Sequence, residues 1–465
     1  MIDHLPASAH RLGETPVQHT HSERHRRARR TAAAAAVLLA LLAGAAPAAT
    51  AAAGPGASDS AARGLDRESL TRRLDAVRDA GMYGSYASVR DGRARWDGAT
   101  GVADTATGRP TRPGMRHRVG SVTKSFTSVA VLQLSAKGRI GLDRPVGDYL
   151  PELLPGERGR KVTVRMLLNH TSGLPDYVAE AFPSFKENSP RSLDEFRHRT
   201  IAPEVLIGYG VGAPQLFEPG TDWSYSNTNY LLLGELIREV TGKDPERVIT
   251  ENVIRGAGLK DTYFPGTDPR IKGPHSKLYE NFGGLIDPPR DYSEYNMTMA
   301  GTAGALISTT QDLNTFYRAL FQGGLLPAAQ LREMKTAVPV KDGSGTVVMG
   351  YGLGVYTVDT SCGPVWGHDG AVWGSGTQAM STPDGKRQVA LGINLMGYQR
   401  TDAQGRPVPH PVDAALAALR EQALCGAAPR AGAAAEPKGP AEPLDTLLLK
   451  GALPSAPPAP GQRLR

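Results

Sequence analysis

Arg118-Val119-Gly120-Ser121-Val122-Thr123-Lys124 opens a run of helical periodicity in which Val122, Phe126, Val129, Val131 and Leu134 form an apolar band, stopped by Gly138. Residues three apart on a helix share a face, so this spacing sets the Lys124 amine beside the Ser121 hydroxyl. In a dry site the lysine gives up its proton cheaply, and a neutral amine can take the serine proton as the hydroxyl attacks a carbonyl. The N–H groups at the helix start would face the developing oxyanion. Taken alone, S-x-x-K is also the look of a solvated helix start, so its meaning depends on the rest of the chain.

Before this run, a helical segment around Leu70–Ala80 is followed by strand-like runs at Tyr86–Val89 and Ala94–Trp96, with Asp91-Gly92 suited to a hairpin turn between them. After it, residues 143–300 are broken by Pro and Gly around helical pieces at Arg165–Asn169 and Tyr230–Thr241, the latter stopped by Gly242. Thr309-Thr310-Gln311-Asp312 forms a capping-box-like start for a helix over Leu313–Phe321. Strands then follow at Val347–Val358, Val365–His368, Gly376–Ser381 and Gln388–Leu395, with Thr382-Pro383-Asp384-Gly385 as a turn, and an amphipathic helix over Asp413–Leu424 closes the series. This order predicts an α+β fold: an antiparallel sheet flanked by helices, with an all-helical domain inserted at about 143–300 of an ordered region 66–426.

The composition of the 465 residues, 21% charged and 40% hydrophobic, is that of a globular protein. The net charge of +7 does not argue for nucleic acid. Six arginines against three acidic residues in 1–48 account for three of those charges, and the rest are scattered. Arg24–Arg30, the apolar run Ala32–Ala43 and small residues at Ala46-Pro47-Ala48 or Ala49-Thr50-Ala51 read as a secretory signal peptide over 1–48, followed by a flexible leader over 49–65. The apolar run is about a dozen residues where a membrane span needs ~20, so no stable membrane anchor is expected. Residues 427–465 are dominated by Ala, Pro and Gly and read as a low-complexity tail. The two cysteines, Cys362 and Cys425, would meet an oxidising compartment after export; a single disulfide is expected, with two buried free thiols as the alternative.

Two further motifs change the weight of the first. Tyr225-Ser226-Asn227 stands just ahead of the Tyr230–Thr241 helix. A phenol that loses its proton to a cationic neighbour is a second proton acceptor, and the Asn227 amide can hold a substrate carbonyl or the lysine. His368-Asp369-Gly370 ends a strand-like run, where Gly370 lets the backbone approach a substrate. Each has a bland reading alone, Tyr225 as a packed aromatic and His368 as a structural histidine. In this order and spacing, S-x-x-K, Y-x-N and H-x-G resemble the penicillin-recognising serine hydrolases, in the branch of class C β-lactamases, serine D-alanyl-D-alanine carboxypeptidases, D-aminopeptidases and related esterases. Met166–Leu174, Ala303–Thr309 and Tyr351–Gly354 also look like stretches common in that family.

The resemblance implies a β-lactamase/transpeptidase-like fold with the cleft between its sheet and helical parts. It makes Ser121 the nucleophile, Lys124 its partner and Tyr225 the proton shuttle, with Lys124 and Tyr225 titrating as a coupled pair. Asn227 would orient substrate, His368 replaces a lysine found there in many relatives, and Gly370 lies on the strand that substrate pairs with. The N–H groups of Ser121 and Ala371 would form the oxyanion hole. His170 is expected to be structural. The resemblance also sets Cys362 and Cys425 where a bridge would brace the third motif. No cofactor or metal is implied.

The expected partner is a small-molecule or peptide substrate, that is, a peptidoglycan-type peptide, a β-lactam or an ester, and the expected state is a secreted, wall-associated monomer. Carboxypeptidases hold a substrate carboxylate near the third motif with hydroxyls and a cation. Here Asp369 and Ala371 stand where many relatives have Thr, and His368 would be only partly protonated at neutral pH. Asp369 either faces the cleft and repels a carboxylate or points outward. The leading expectation is a D-alanyl-D-alanine carboxypeptidase-like peptidase; the alternatives are an esterase or β-lactamase of the same family, and a non-catalytic penicillin- or wall-binding protein.

Overall fold

Leu70, Leu74 and Val77 form a buried stripe along α1 (Arg67–Asp79), whose first turn is capped by Asp66 accepting from Ser69 N at 2.9 Å. The computed structural model describes residues 64–400 and 408–426, so the signal-peptide, most of the leader and the tail expectations lie outside the described residues. α1 and the closing helix α5 (Pro411–Cys425) pack together on one face of a nine-stranded sheet. Its strands are β1 (Gly84–Asp91), β2 (Ala94–Asp104), β3 (Arg109–Pro110), β4 (Val338–Lys341), β5 (Val347–Tyr351), β6 (Tyr356–Thr360), β7 (Gly363–Val372), β8 (Ser375–Ser381) and β9 (Arg387–Ile393). They lie in the order β3-β2-β1-β9-β8-β7-β6-β5-β4, with antiparallel neighbours throughout. The N-terminal hairpin therefore closes against the last long strand.

The expected single strand Val347–Val358 is two strands. Gly354, at φ +75°, turns the chain so tightly against the helix behind the sheet that a Cβ there would sit 2.0 Å from Ser128 Oγ. That helix is α2 (Thr123–Ala136), and all of its residues from Thr123 to Leu132 are buried. A helix dry on every side must satisfy its own polar groups. Ser125 Oγ donates to Gly354 O at 2.7 Å, Thr127 Oγ1 donates to Thr302 O at 2.7 Å, and Ser128 Oγ meets the Tyr230 hydroxyl at 3.1 Å. Phe126 stacks at 3.8 Å on Phe316 of α4 (Thr310–Phe321), which covers the sheet face opposite α1.

The segment between α2 and α4 is mostly short helices around α3 (Asn227–Thr241), which ends at Gly242 with φ +67° and its N–H on Arg238 O. It is not wholly helical: Tyr279–Glu280 and Arg290–Asp291 pair with each other, and Leu395–Met396 joins Tyr279–Glu280 as a third strand. One apolar core runs without a break from α2 and α3 to Trp366, Ala379 and Ala390 on the sheet, so the insertion shares its core with the rest.

Cys362 and Cys425 form a disulfide between the start of β7 and the end of α5, and no cysteine is free. Among the described residues no helix is long and apolar enough to cross a membrane.

Candidate active site

The position of Ser121 is built by three elements. His117–Arg118 pairs with Ile307–Ser308, a 3-10 turn over Gly120–Val122 follows with Gly120 at φ +50°, and α2 begins at Thr123. Ser121 is thus in the turn ahead of the helix, yet Lys124 still reaches it. Lys124 Nζ lies 3.1 Å from Ser121 Oγ, 2.7 Å from Asn227 Oδ1 and 2.8 Å from Ala303 O. The amine is fully buried, and burial lowers its pKa to about 7 against the opposing pull of Asp176. A neutral amine has two hydrogens and one lone pair. The two carbonyl-type oxygens can only accept, so they take both hydrogens and the lone pair faces the serine.

Tyr225 lies beside this group, its ring centroid 4.8 Å from Lys124 Nζ. Its hydroxyl is buried and makes no hydrogen bond of ordinary geometry among the described residues, although the Ser121 hydroxyl is near enough to pull its pKa down. Burial dominates and raises that pKa well above the usual phenol range. The sequence leaves open which member of the Lys124–Tyr225 pair acts as the base; in the folded protein burial keeps the phenol protonated and brings the lysine pKa to about 7. The charge that Lys124 answers to is Asp176 rather than Tyr225.

Asn227 makes its side-chain contacts inside the protein. Its Oδ1 accepts from Lys124, while its Nδ2 donates to Asp176 Oδ2 at 2.7 Å and its backbone N donates to the same oxygen at 2.9 Å. His368 and His170 are joined through Tyr351. The backbone N of Ser226 donates to His170 Nδ1 at 3.2 Å, so the ring's hydrogen is on Nε2, 3.2 Å from the Tyr351 hydroxyl. That hydroxyl stands 2.9 Å from His368 Nε2, and His368 Nδ1 is 2.6 Å from Asp369 O, a carbonyl that can only accept. Every proton in the chain has one consistent place: His170 donates to Tyr351, Tyr351 to His368, and His368 to the backbone.

Both histidines are neutral. Burial is the first cause in each case, holding His368 at about 3 and His170 well below its usual value, with the Lys124 charge adding to it. His368 is thus uncharged at neutral pH, where partial protonation was expected. His170, at φ +64°, packs its ring 4.3 Å from that of Tyr225, so it supports the site from behind.

Asp369 faces away from the cleft. Side chains alternate along β7, and its partner in register is Gln378. Its carboxylate accepts from the Tyr356 hydroxyl and from Gln378, with the charge of Arg420 on α5 nearby. Gly370 is on the opposite face, that of Ser121. A Cβ on Gly370 would lie 1.9 Å from Val119 O and 2.8 Å from Ser121 N, and one on Gly120 would lie 2.7 Å from Ala371 N. β6 covers β7 only as far as Gly367, so, among the described residues, 368–372 have β8 on one side and no strand on the other. That free edge, beside the Ser121 turn, can take an extended substrate by main-chain pairing.

Asp176, Ala303 and Tyr351 are the site residues missed by motif reasoning. Ala303 and Tyr351 begin two of the family-like stretches, and Asp176 comes two residues after the third. Their contacts with Lys124, Asn227 and His368 had no local signal.

The beta-lactamase family model matches residues 70–410. The chain belongs to the beta-lactamase family. Esterase EstB of Burkholderia gladioli is 34% identical over 45% of this chain and 56% of its own, and penicillin-binding protein 4* of Bacillus subtilis is 27% identical over 58% of each. The chain thus spans just over half the length of these curated relatives. A solved D-stereospecific amidohydrolase from Streptomyces is 37% identical, with a TM-score of 0.68 over 78% of this chain and all of that one.

Proposed function

We propose that the protein is an exported serine hydrolase that forms an acyl-enzyme on Ser121 from D-aminoacyl amides or peptides. The observation that carries the reading is the hydrogen-bond environment of Lys124: two acceptors fill its N–H groups and the third direction is Ser121 Oγ, at 3.1 Å. In the reaction Lys124 takes the Ser121 proton as Oγ bonds to the substrate carbonyl carbon. The oxyanion is held by Ser121 N and Ala371 N, and as the C–N bond breaks Tyr225 delivers its hydroxyl proton to the leaving nitrogen. The protonated lysine restores the tyrosine's proton, and water then releases the acyl group. Burial keeps the Tyr225 hydroxyl protonated, so it has a proton to give in this transfer.

The amide preference follows from charge. Among the described side chains around Ser121, Lys124 is the cationic one and it is poised near neutrality, while His368 is neutral. A substrate carboxylate would enter a dry site without a partner. A neutral leaving end is therefore favoured over the free carboxylate of a D-alanyl-D-alanine substrate, and the Streptomyces relative's D-stereospecific amide chemistry supports the same reading. Ester hydrolysis uses the same acyl step and is the second activity expected, in keeping with the esterase relative. Export is proposed on the basic, apolar and small-residue series within 24–51 together with the Cys362–Cys425 bridge.

Parent and Ser121→Ala proteins should be incubated with a D-aminoacyl p-nitroanilide, its L-enantiomer, a short-chain p-nitrophenyl ester and a D-alanyl-D-alanine peptide. The reading expects D-anilide and ester turnover by the parent only. Faster release of D-alanine from the peptide than of nitroaniline would assign a carboxypeptidase, and activity retained by Ser121→Ala would refute the mechanism.

A further inference from the structure

The geometry points to Asp176 as a positioning residue that sets both the orientation of Asn227 and the basicity of Lys124. This rests on the reading of Lys124 as the base for Ser121.

Asp176 is buried, and its carboxylate accepts three N–H hydrogen bonds: Val178 N on Oδ1 at 2.9 Å, and Asn227 N at 2.9 Å and Nδ2 at 2.7 Å on Oδ2. A carboxylate can only accept, so the NH2 end of Asn227 is committed to it. The amide oxygen is then the end that faces Lys124, at 2.7 Å. With the amide reversed, an NH2 group would face the amine, one acceptor for the lysine hydrogens would be lost, and the lone pair would no longer be directed to Ser121. The carboxylate fixes a choice the amide could not make alone.

The second effect is electrostatic. Among the described residues no salt-bridge partner contacts Asp176; burial pushes its carboxyl up, the N–H groups of Asn227 and Val178 oppose this, and the charge that acts on it is that of Lys124, one side chain away through Asn227. The other groups around the amine are His170 and His368, both neutral, and the phenols of Tyr225 and Tyr230, whose ring centroids lie 4.8 and 5.4 Å away. Asp176 is therefore the negative charge that offsets burial of the lysine. Without it the amine would be neutral to lower pH but a weaker base, and so a poorer acceptor for a serine proton.

The test is the titration of Lys124 followed by NMR of its 13Cε, with the acid limb of kcat/KM on a p-nitrophenyl ester measured in parallel. In the parent protein the Lys124 resonance and the Asp176 carboxyl resonance should each show the other's inflection; two independent titrations would overturn the inference without any variant being made. In Asp176→Asn, which keeps one accepting oxygen, both the Lys124 midpoint and the acid limb should move down by about one pH unit. Asp176→Ala, which releases Asn227, should lower kcat about tenfold further with little change in KM. A fall in activity and melting temperature with the limb unmoved would assign Asp176 a purely structural role. The NMR arm does not require turnover, so failure of the hydrolase reading would leave it intact.

Discussion

Gly370→Ala tests whether the close approach of β7 to the Ser121 turn forms the oxyanion hole. The added Cβ would stand 1.9 Å from Val119 O, whereas real Cβ contacts essentially never fall below 3.0 Å. The two segments must therefore separate by about 1.1 Å, and Ser121 N, 2.8 Å from the same point, moves with the turn. A displacement of about 1 Å in a reacting geometry costs roughly 10²-fold, and loss of one oxyanion donor costs about 10²–10³-fold, or about 2.7–4 kcal/mol. The variant should thus lose about 10²–10³ in kcat/KM on both ester and anilide, measured below its melting temperature with circular dichroism confirming the fold. Gly343→Ala is the control, because nothing lies within 4 Å of its Cβ, and it should behave as parent. A folded Gly370→Ala protein within threefold of parent kcat/KM would refute the placement of the oxyanion hole.

Three further outcomes follow from the site and the fold. Because Lys124 must be neutral and titrates at about 7, kcat/KM should fall about tenfold per unit as pH drops below that value. Because its folded pKa lies below the unfolded value of about 10.4, the unfolded chain binds more protons in between, so stability should rise from pH 7 to 10; chemical denaturation of Lys124→Met should show that rise flattened. Tyr225→Phe should cut anilide hydrolysis by about 10²–10⁴ while sparing a p-nitrophenyl ester, whose leaving group departs without a proton; equal losses on both would argue against a leaving-group role. Replacing both Cys362 and Cys425 by Ser removes a link across 63 residues and should cost about 4 kcal/mol in urea unfolding, with kcat near parent.

The features legible in the chain were those set by neighbours in sequence. The long helices with their stops at Gly138 and Gly242, and the hairpin at Asp91-Gly92, follow from periodicity and from residues that tolerate positive φ. The expected strand Val347–Val358 failed because its break is made by α2, which no local pattern records.

By itself the sequence determined that Ser121 and Lys124 lie side by side, since three residues along a turn and helix leave them little choice. It also determined that Tyr225, Asn227 and His368 belong with them, through the order of the motifs. Only the tertiary structure decided what state those groups are in. The lowered pKa of Lys124 and the neutrality of His368 come from burial by segments far away in the chain. The opposite facing of Asp369 and Gly370 comes from the register of β7 on β8, and the orientation of Asn227 comes from Asp176, 51 residues earlier. Chemical identity is local to a residue, whereas its protonation state depends on the water and charge that the rest of the fold removes or supplies.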